Sequence, residues 1–151
     1  MCARRANKLM PTDLPLHHTK QLALIVDDDK SLRRMVCMVL EDGEWDVLEA
    51  KDGIEALAIL RSSPRHLVVL LDWMMPEMSG EDVLDVVNAD RDLATRHAYV
   101  LITANAAVLT PHMRDLLREL SVPLLTKPFG IQDLLHIVED QARRIHVEEG
   151  S

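Results

Sequence analysis

From Gln21 onward the chain alternates short, continuous apolar runs with longer stretches in which apolar residues recur at helical spacing. LALIV at 22–26 predicts a buried strand. In SLRRMVCMVLED, Leu32, Met35, Val36, Val39 and Leu40 mark a helix that Gly43 stops. WDVLEA at 45–50 predicts a second strand, and IEALAILRSS a helix with Ile54, Leu57, Ala58 and Leu60 inward, ended near Pro64. HLVVLL at 66–71 is the most apolar run and lacks alternation, the pattern of a central strand covered on both faces. After the turn-rich MMPEMSG, EDVLDVVNAD offers Val83, Leu84, Val86 and Val87 as the inner face of a third helix, and AYVLIT at 98–103 is a fourth strand. Thr110 followed by Pro111 reads as an N-cap and a first helical position, so a fourth helix runs from Pro111 to Leu120. VPLLT at 122–126 is the fifth strand. IQDLLHIVEDQARRIH at 131–146 closes the pattern with Ile131, Leu134, Leu135, Val138 and Ile145 on one face. Five successive βα units predict an α/β fold, a parallel sheet with helices on both faces.

With 151 residues, 48% of them hydrophobic, the chain can bury one domain's core. Three segments are expected: a mobile N-terminal arm over 1–20, a folded domain over 21–146 and a frayed tail, VEEGS, over 147–151. The arm is set apart by charge, because Arg4, Arg5, Lys8 and Lys20 against Asp13 give it +3 within a net charge of -8. That net charge and a pI near 5.3 argue against direct nucleic-acid binding. Cys2 and Cys37 form no disulfide framework and read as free thiols of a reducing compartment. Pro11 and Pro15 interrupt the basic start, and nothing approaches the ~20 apolar residues of a membrane span. A soluble cytoplasmic protein is expected.

The reactive side chains change this picture by their placement. Asp27 and Asp28 follow LALIV, Asp72 follows HLVVLL, Thr103 ends AYVLIT and Lys127 follows VPLLT. In an open parallel sheet the carboxyl ends of the strands are where ligands bind. Singly, each residue has a plainer explanation. Acids ahead of a helix cap it, and Asp29 reads as such a cap. Thr103 alone would be an ordinary β-branched strand residue and Lys127 a surface lysine. Asp72 is harder to explain away, since a charge at the end of a central strand is costly unless compensated. Bringing Asp27 and Asp28 near it adds repulsion of about 4 kcal/mol for unit charges ~4 Å apart at intermediate dielectric. A divalent cation relieves that repulsion. Ligation by carboxylates, a carbonyl and waters is the Mg²⁺ style, and no His or Cys cluster in the sequence suggests zinc. A hydroxyl and an ammonium opposite the acids are what a transferring phosphoryl group requires.

The strings LIVDDDKSLRRMV, EAKDGIEAL, LLDWMMPEMSG, VLITANA and LLTKPF, in this order, resemble the response-regulator receiver domain and are similar to single-domain chemotaxis regulators. The resemblance covers residues 21–146. It implies a flavodoxin-like (βα)5 doubly wound parallel sheet with strand order 2-1-3-4-5. It implies Asp72 as phosphoacceptor and Mg²⁺ held by Asp28, Asp72 and the Met74 backbone carbonyl, with Asp27 acting through a water. Thr103 and Lys127 would hold the phosphoryl oxygens, and the Lys127–Pro128 bond would be cis. Two rival readings fit less well. A haloacid-dehalogenase-type phosphatase needs a second acid where Met74 stands, and three carboxylates at 27–29 would repel the phosphate of a flavodoxin's FMN.

Three departures from the family pattern stand out. Leu124 stands where an aromatic switch residue is usual. The Thr103–Lys127 interval is long, with the extra residues placed in AAVLTP. Met74 and Asn105 border the route of a hydrolytic water, which Met cannot hydrogen-bond well. The expected function is that of a stand-alone receiver with no output domain, a phosphoacceptor rather than a conventional enzyme. Its phosphate would come from a sensor histidine kinase or a histidine phosphotransfer protein. Its target would meet the face made by the fourth helix, fifth strand and fifth helix. The alternative is a non-phosphorylated, receiver-like adaptor, which Leu124 would favour.

Overall fold

The computed structural model describes residues 20–150, with side chains described for 20–145. The arm expected over 1–20 therefore lies, apart from Lys20, outside the described residues. Element order is β1 (Leu22–Val26), α1 (Lys30–Asp42), β2 (Asp46–Ala50), α2 (Gly53–Ser62), β3 (Val68–Asp72), α3 (Gly80–Asn88), α4 (Arg91–Arg96), β4 (Ala98–Thr103), α5 (Pro111–Glu119), β5 (Leu124–Thr126) and α6 (Ile131–Gly150). One short 3-10 turn, Ala106–Val108, precedes α5. The sheet is parallel throughout, in the order β2-β1-β3-β4-β5, as the resemblance implied.

Each strand feeds two cores because successive side chains point to opposite faces. On β3, Val69 and Leu71 join the cluster under α2, α3, α4 and α5, while Val68 and Leu70 join the one under α1 and α6. This two-sided burial is why HLVVLL shows no alternation. The helices start where capping chemistry allows. Asp29 caps α1 by accepting from the Ser31 and Leu32 amides, Ser79 and Asp82 form a capping box on α3, and Thr110 caps α5 with Pro111 in its first turn.

Several expectations are corrected. Ile54 is 61% exposed and Ala58 also faces solvent, because the start of α2 at Asp52 and Gly53 sets a phase that turns Ala56, Leu57, Ile59 and Leu60 inward. Met35 and Ile131 are likewise exposed, and Cys37 takes an inward position on α1. Cys37 is disulfide-bonded in the structure, so the free-thiol reading does not hold for it. Helix α4 was not anticipated. It has one buried apolar residue, Leu93, and hence no periodicity, and only its cap Asp90 marks it. Helix α6 continues to Gly150, past the expected end at His146.

At the edge of the sheet opposite the strand carboxyl ends, His97 is buried between two backbone groups. Its Nδ1 accepts from the Leu67 amide and its Nε2 donates to the Leu60 carbonyl, each at 3.0 Å. Burial pushes this imidazole down to about 4, against the opposing Leu60 hydrogen bond. The Tyr99 hydroxyl donates to the Leu93 carbonyl at 2.8 Å and ties α4 to β4.

Candidate functional site

Asp27 follows the last residue of β1, and its polar atoms are held from several sides. Its amide donates to the Ala50 carbonyl at 3.1 Å, and its carbonyl accepts from Arg33 Nη1 at 2.7 Å. Its Oδ1 accepts from the Asp29 amide at 2.8 Å. Asp28 stands exposed beside it. Asp72 ends β3 and is only 4% exposed. The backbone after it is fixed by the Trp73 amide on the Ile102 carbonyl and by the Gly80 amide on the Trp73 carbonyl. Gly80 is demanded here, since a Cβ would stand 2.6 Å from the Asp72 carbonyl oxygen. Thr103 is buried at the end of β4, one residue past Ile102, which pairs with Asp72. Its Oγ1 accepts from the Asn105 amide at 3.2 Å. Lys127 follows β5, its amide donating to the Thr103 carbonyl at 2.8 Å, and the Lys127–Pro128 bond is cis.

These strand ends bring the charged groups together. Lys127 Nζ lies 3.2 Å from Asp72 Oδ1 and 3.6 Å from Asp27 Oδ2. Asp27, Asp28 and Asp72 each offer an oxygen within 4.8 Å of the others. Burial first, and then the charge of Asp27, pushes the Asp72 carboxyl up to about 6 despite Lys127. Burial also raises Asp27, against its Asp29 hydrogen bond and Lys127. Burial alone would lower Lys127, but the two carboxylates outweigh it and leave its ammonium raised. The cluster thus sets three carboxylates against one ammonium, an imbalance that a divalent cation offsets. The donor set fits such an ion: all oxygens, with Asp27 Oδ2 buried and lacking a hydrogen-bond partner.

The remaining predicted positions lie on the strand ends and loops of the same chain segments. The Met74 side chain is 70% exposed at the start of the β3–α3 loop. Asn105 is exposed and caps the 3-10 turn through the Ala107 amide. Leu124 opens β5, is half-buried and packs against the core under α5. Two contributors were missed. Arg33 looked like one more polar position of α1, and the need for Gly80 appears only when β3 and α3 are brought together. A second ligand group also emerges that the sequence did not suggest. Glu81 and Asp85, one turn apart on α3, meet His112 of α5 on the surface, with His112 Nε2 2.6 Å from Asp85 Oδ1.

Comparison with known proteins agrees with the geometry. The family model described as response regulator receiver domain matches residues 23–139. The probable transcriptional regulatory protein TcrX of Mycobacterium tuberculosis is 35% identical over 127 residues, 82% of this chain and 50% of TcrX. The chemotaxis protein CheY1 of Helicobacter pylori is 43% identical over 68 residues, 44% of this chain and 55% of CheY1. Among solved structures, Vibrio cholerae chemotaxis protein CheY4 superposes with a TM-score of 0.69 at 27% identity, covering 82% of this chain and 99% of CheY4. This chain belongs to the response regulator receiver domain family, a component of two-component signalling. It spans about half the length of the curated relatives it matches.

Proposed function

We propose that this chain acts as a phosphoacceptor, taking a phosphoryl group from a phosphohistidine donor onto Asp72. The observation that carries the reading is the buried Asp72 carboxylate, with Lys127 Nζ at 3.2 Å and two further carboxylates within 4.8 Å. An Asp72 oxygen attacks phosphorus while the phosphorus–nitrogen bond to the donor imidazole breaks, so the imidazole leaves and an acyl phosphate forms. Lys127 and the Thr103 hydroxyl hold the phosphoryl oxygens as charge spreads over them. Asp28, Asp72 and the Met74 carbonyl would hold Mg²⁺, with Asp27 acting through a water. When bound, the ion supplies the positive charge that lets two carboxylates and a phosphoryl group share one site.

The donor is a sensor histidine kinase or a histidine phosphotransfer protein, and the setting is the cytoplasm. Among the described residues no helix is long and apolar enough to cross a membrane. The signal leaves through the face of α5, β5 and α6, the fourth helix, fifth strand and fifth helix expected from the sequence pattern. Transfer from a purified phosphohistidine domain tests this. Label should pass to the chain with Mg²⁺ and stop with a chelator or in Asp72→Asn, and label retained by that variant would reject the assignment. Leu124 in the switch position favours a second reading, a receiver-like adaptor that binds its partner without phosphorylation. Equal partner affinity with and without phosphoryl transfer would select it.

A further inference from the structure

We propose that Arg33 is a positioning residue for the cation site, clamping the Asp27–Asp28 peptide so that both carboxylates face the ion. The inference rests on the phosphoacceptor reading above. Asp27 has its amide bound to Ala50, its Oδ1 to the Asp29 amide and its carbonyl to Arg33 Nη1 at 2.7 Å, which leaves Oδ2 as its buried oxygen without a hydrogen bond, facing the Lys127 ammonium at 3.6 Å. Asp28 is then strung between a carbonyl held by Arg33 and the α1 cap Asp29, so its exposed carboxylate starts from a backbone fixed on both sides.

Arg33 is itself held. Its Nε donates to Glu49 Oε1 on β2 at 3.1 Å, and its side chain is 14% exposed. One planar guanidinium therefore serves two acceptors in different directions, which a lysine cannot do with the same geometry. Glu49 also offsets the positive charge that would otherwise repel a cation nearby. The neighbouring Arg34 carries the same charge from the same helix but is exposed, which makes it the natural control.

Mg²⁺ titration of the full chain, followed by tryptophan emission because Trp73 adjoins Asp72, tests the clamp. Loss of a partner that orients metal ligands weakens metal affinity about 10- to 100-fold, and Arg33→Met should fall in that range. Arg34→Met should stay within about twofold of wild type, as expected for an exposed charge. At saturating Mg²⁺, phosphorylation of Arg33→Met by a small-molecule phosphodonor should return to the wild-type rate. A phosphorylation rate that stays low there would make Arg33 a general structural residue and overturn the proposal. Unchanged or tighter Mg²⁺ binding by Arg33→Met would overturn it too, the tighter case meaning that Arg33 acts only as a repelling charge. If circular dichroism shows that Arg33→Met does not fold, Arg33→Lys decides: weakened binding supports the clamp and wild-type binding overturns it. A wild-type chain that binds no Mg²⁺ would overturn the underlying reading, a result distinct from all of these.

Discussion

Burial and the charge of Asp27 push the Asp72 carboxyl up to about 6, whereas burial pushes the His97 imidazole down to about 4. Between 3.8 and about 6 the folded Asp72 binds more protons than the unfolded chain, so raising the pH through that window removes stability. Between about 4 and 6.5 the unfolded His97 binds more, so lowering the pH removes stability. Each effect amounts to at most about 3 kcal/mol at 1.36 kcal/mol per pKa unit, less for Asp72 where solvent and Lys127 screen it, and in the shared window they oppose each other. Metal-free Asp72→Asn should therefore be about 1–3 kcal/mol more stable than wild type at neutral pH. It should also lose stability more steeply on acidification towards pH 4, as urea unfolding in a chelator would measure. Parallel profiles for the two proteins would contradict this description of Asp72. Met74, two residues past Asp72, has an exposed side chain, and on the proposed reading its thioether neither orients nor activates an attacking water. Replacing it with Asn should speed loss of the phosphoryl group by about tenfold, below the ~10²–10⁴ of a full general base. Decay rates after a phosphodonor pulse check this, and equal rates would place the water's route elsewhere.

In the proposed function the signal travels through helix α5 and the segment ahead of it. Leu124 already packs against the core under α5 and has no ring to move inward, while residues 104–109 form an extended passage with only a 3-10 turn in it. Phosphorylation should therefore change amide exchange over residues 104–120 and leave α1 and α2 nearly unchanged, with a coupling to partner binding of about 1–3 kcal/mol. Exchange compared with and without a phosphoryl mimic reads this directly, and no change over 104–120 would return the adaptor reading. The strands, and the helices with several apolar residues, were legible in the sequence because apolar period reports burial directly. What escaped had no periodic signal. Helix α4 carries one buried apolar residue, and the phase of α2 was set by its cap at Asp52 rather than by Ile54. Arg33 and the Glu81, Asp85 and His112 group depend on contacts between distant segments, which spacing along the chain does not encode.

The strand order is what turns four separate sequence features into one site. With β1 and β3 adjacent and β4 and β5 following, the carboxyl ends bearing Asp27, Asp72, Thr103 and Lys127 fall along one edge of the sheet. That convergence was readable beforehand because parallel strands share a direction, so residues that end strands share an edge. Whether the edge performs the chemistry is decided most directly by intact and peptide mass spectrometry after incubation with a small-molecule phosphodonor and Mg²⁺. One added phosphoryl group, on Asp72, is expected in wild type and none in Asp72→Asn. Modification of Asp72→Asn to the same extent, or a phosphoryl group found on a different residue of wild type, would contradict it.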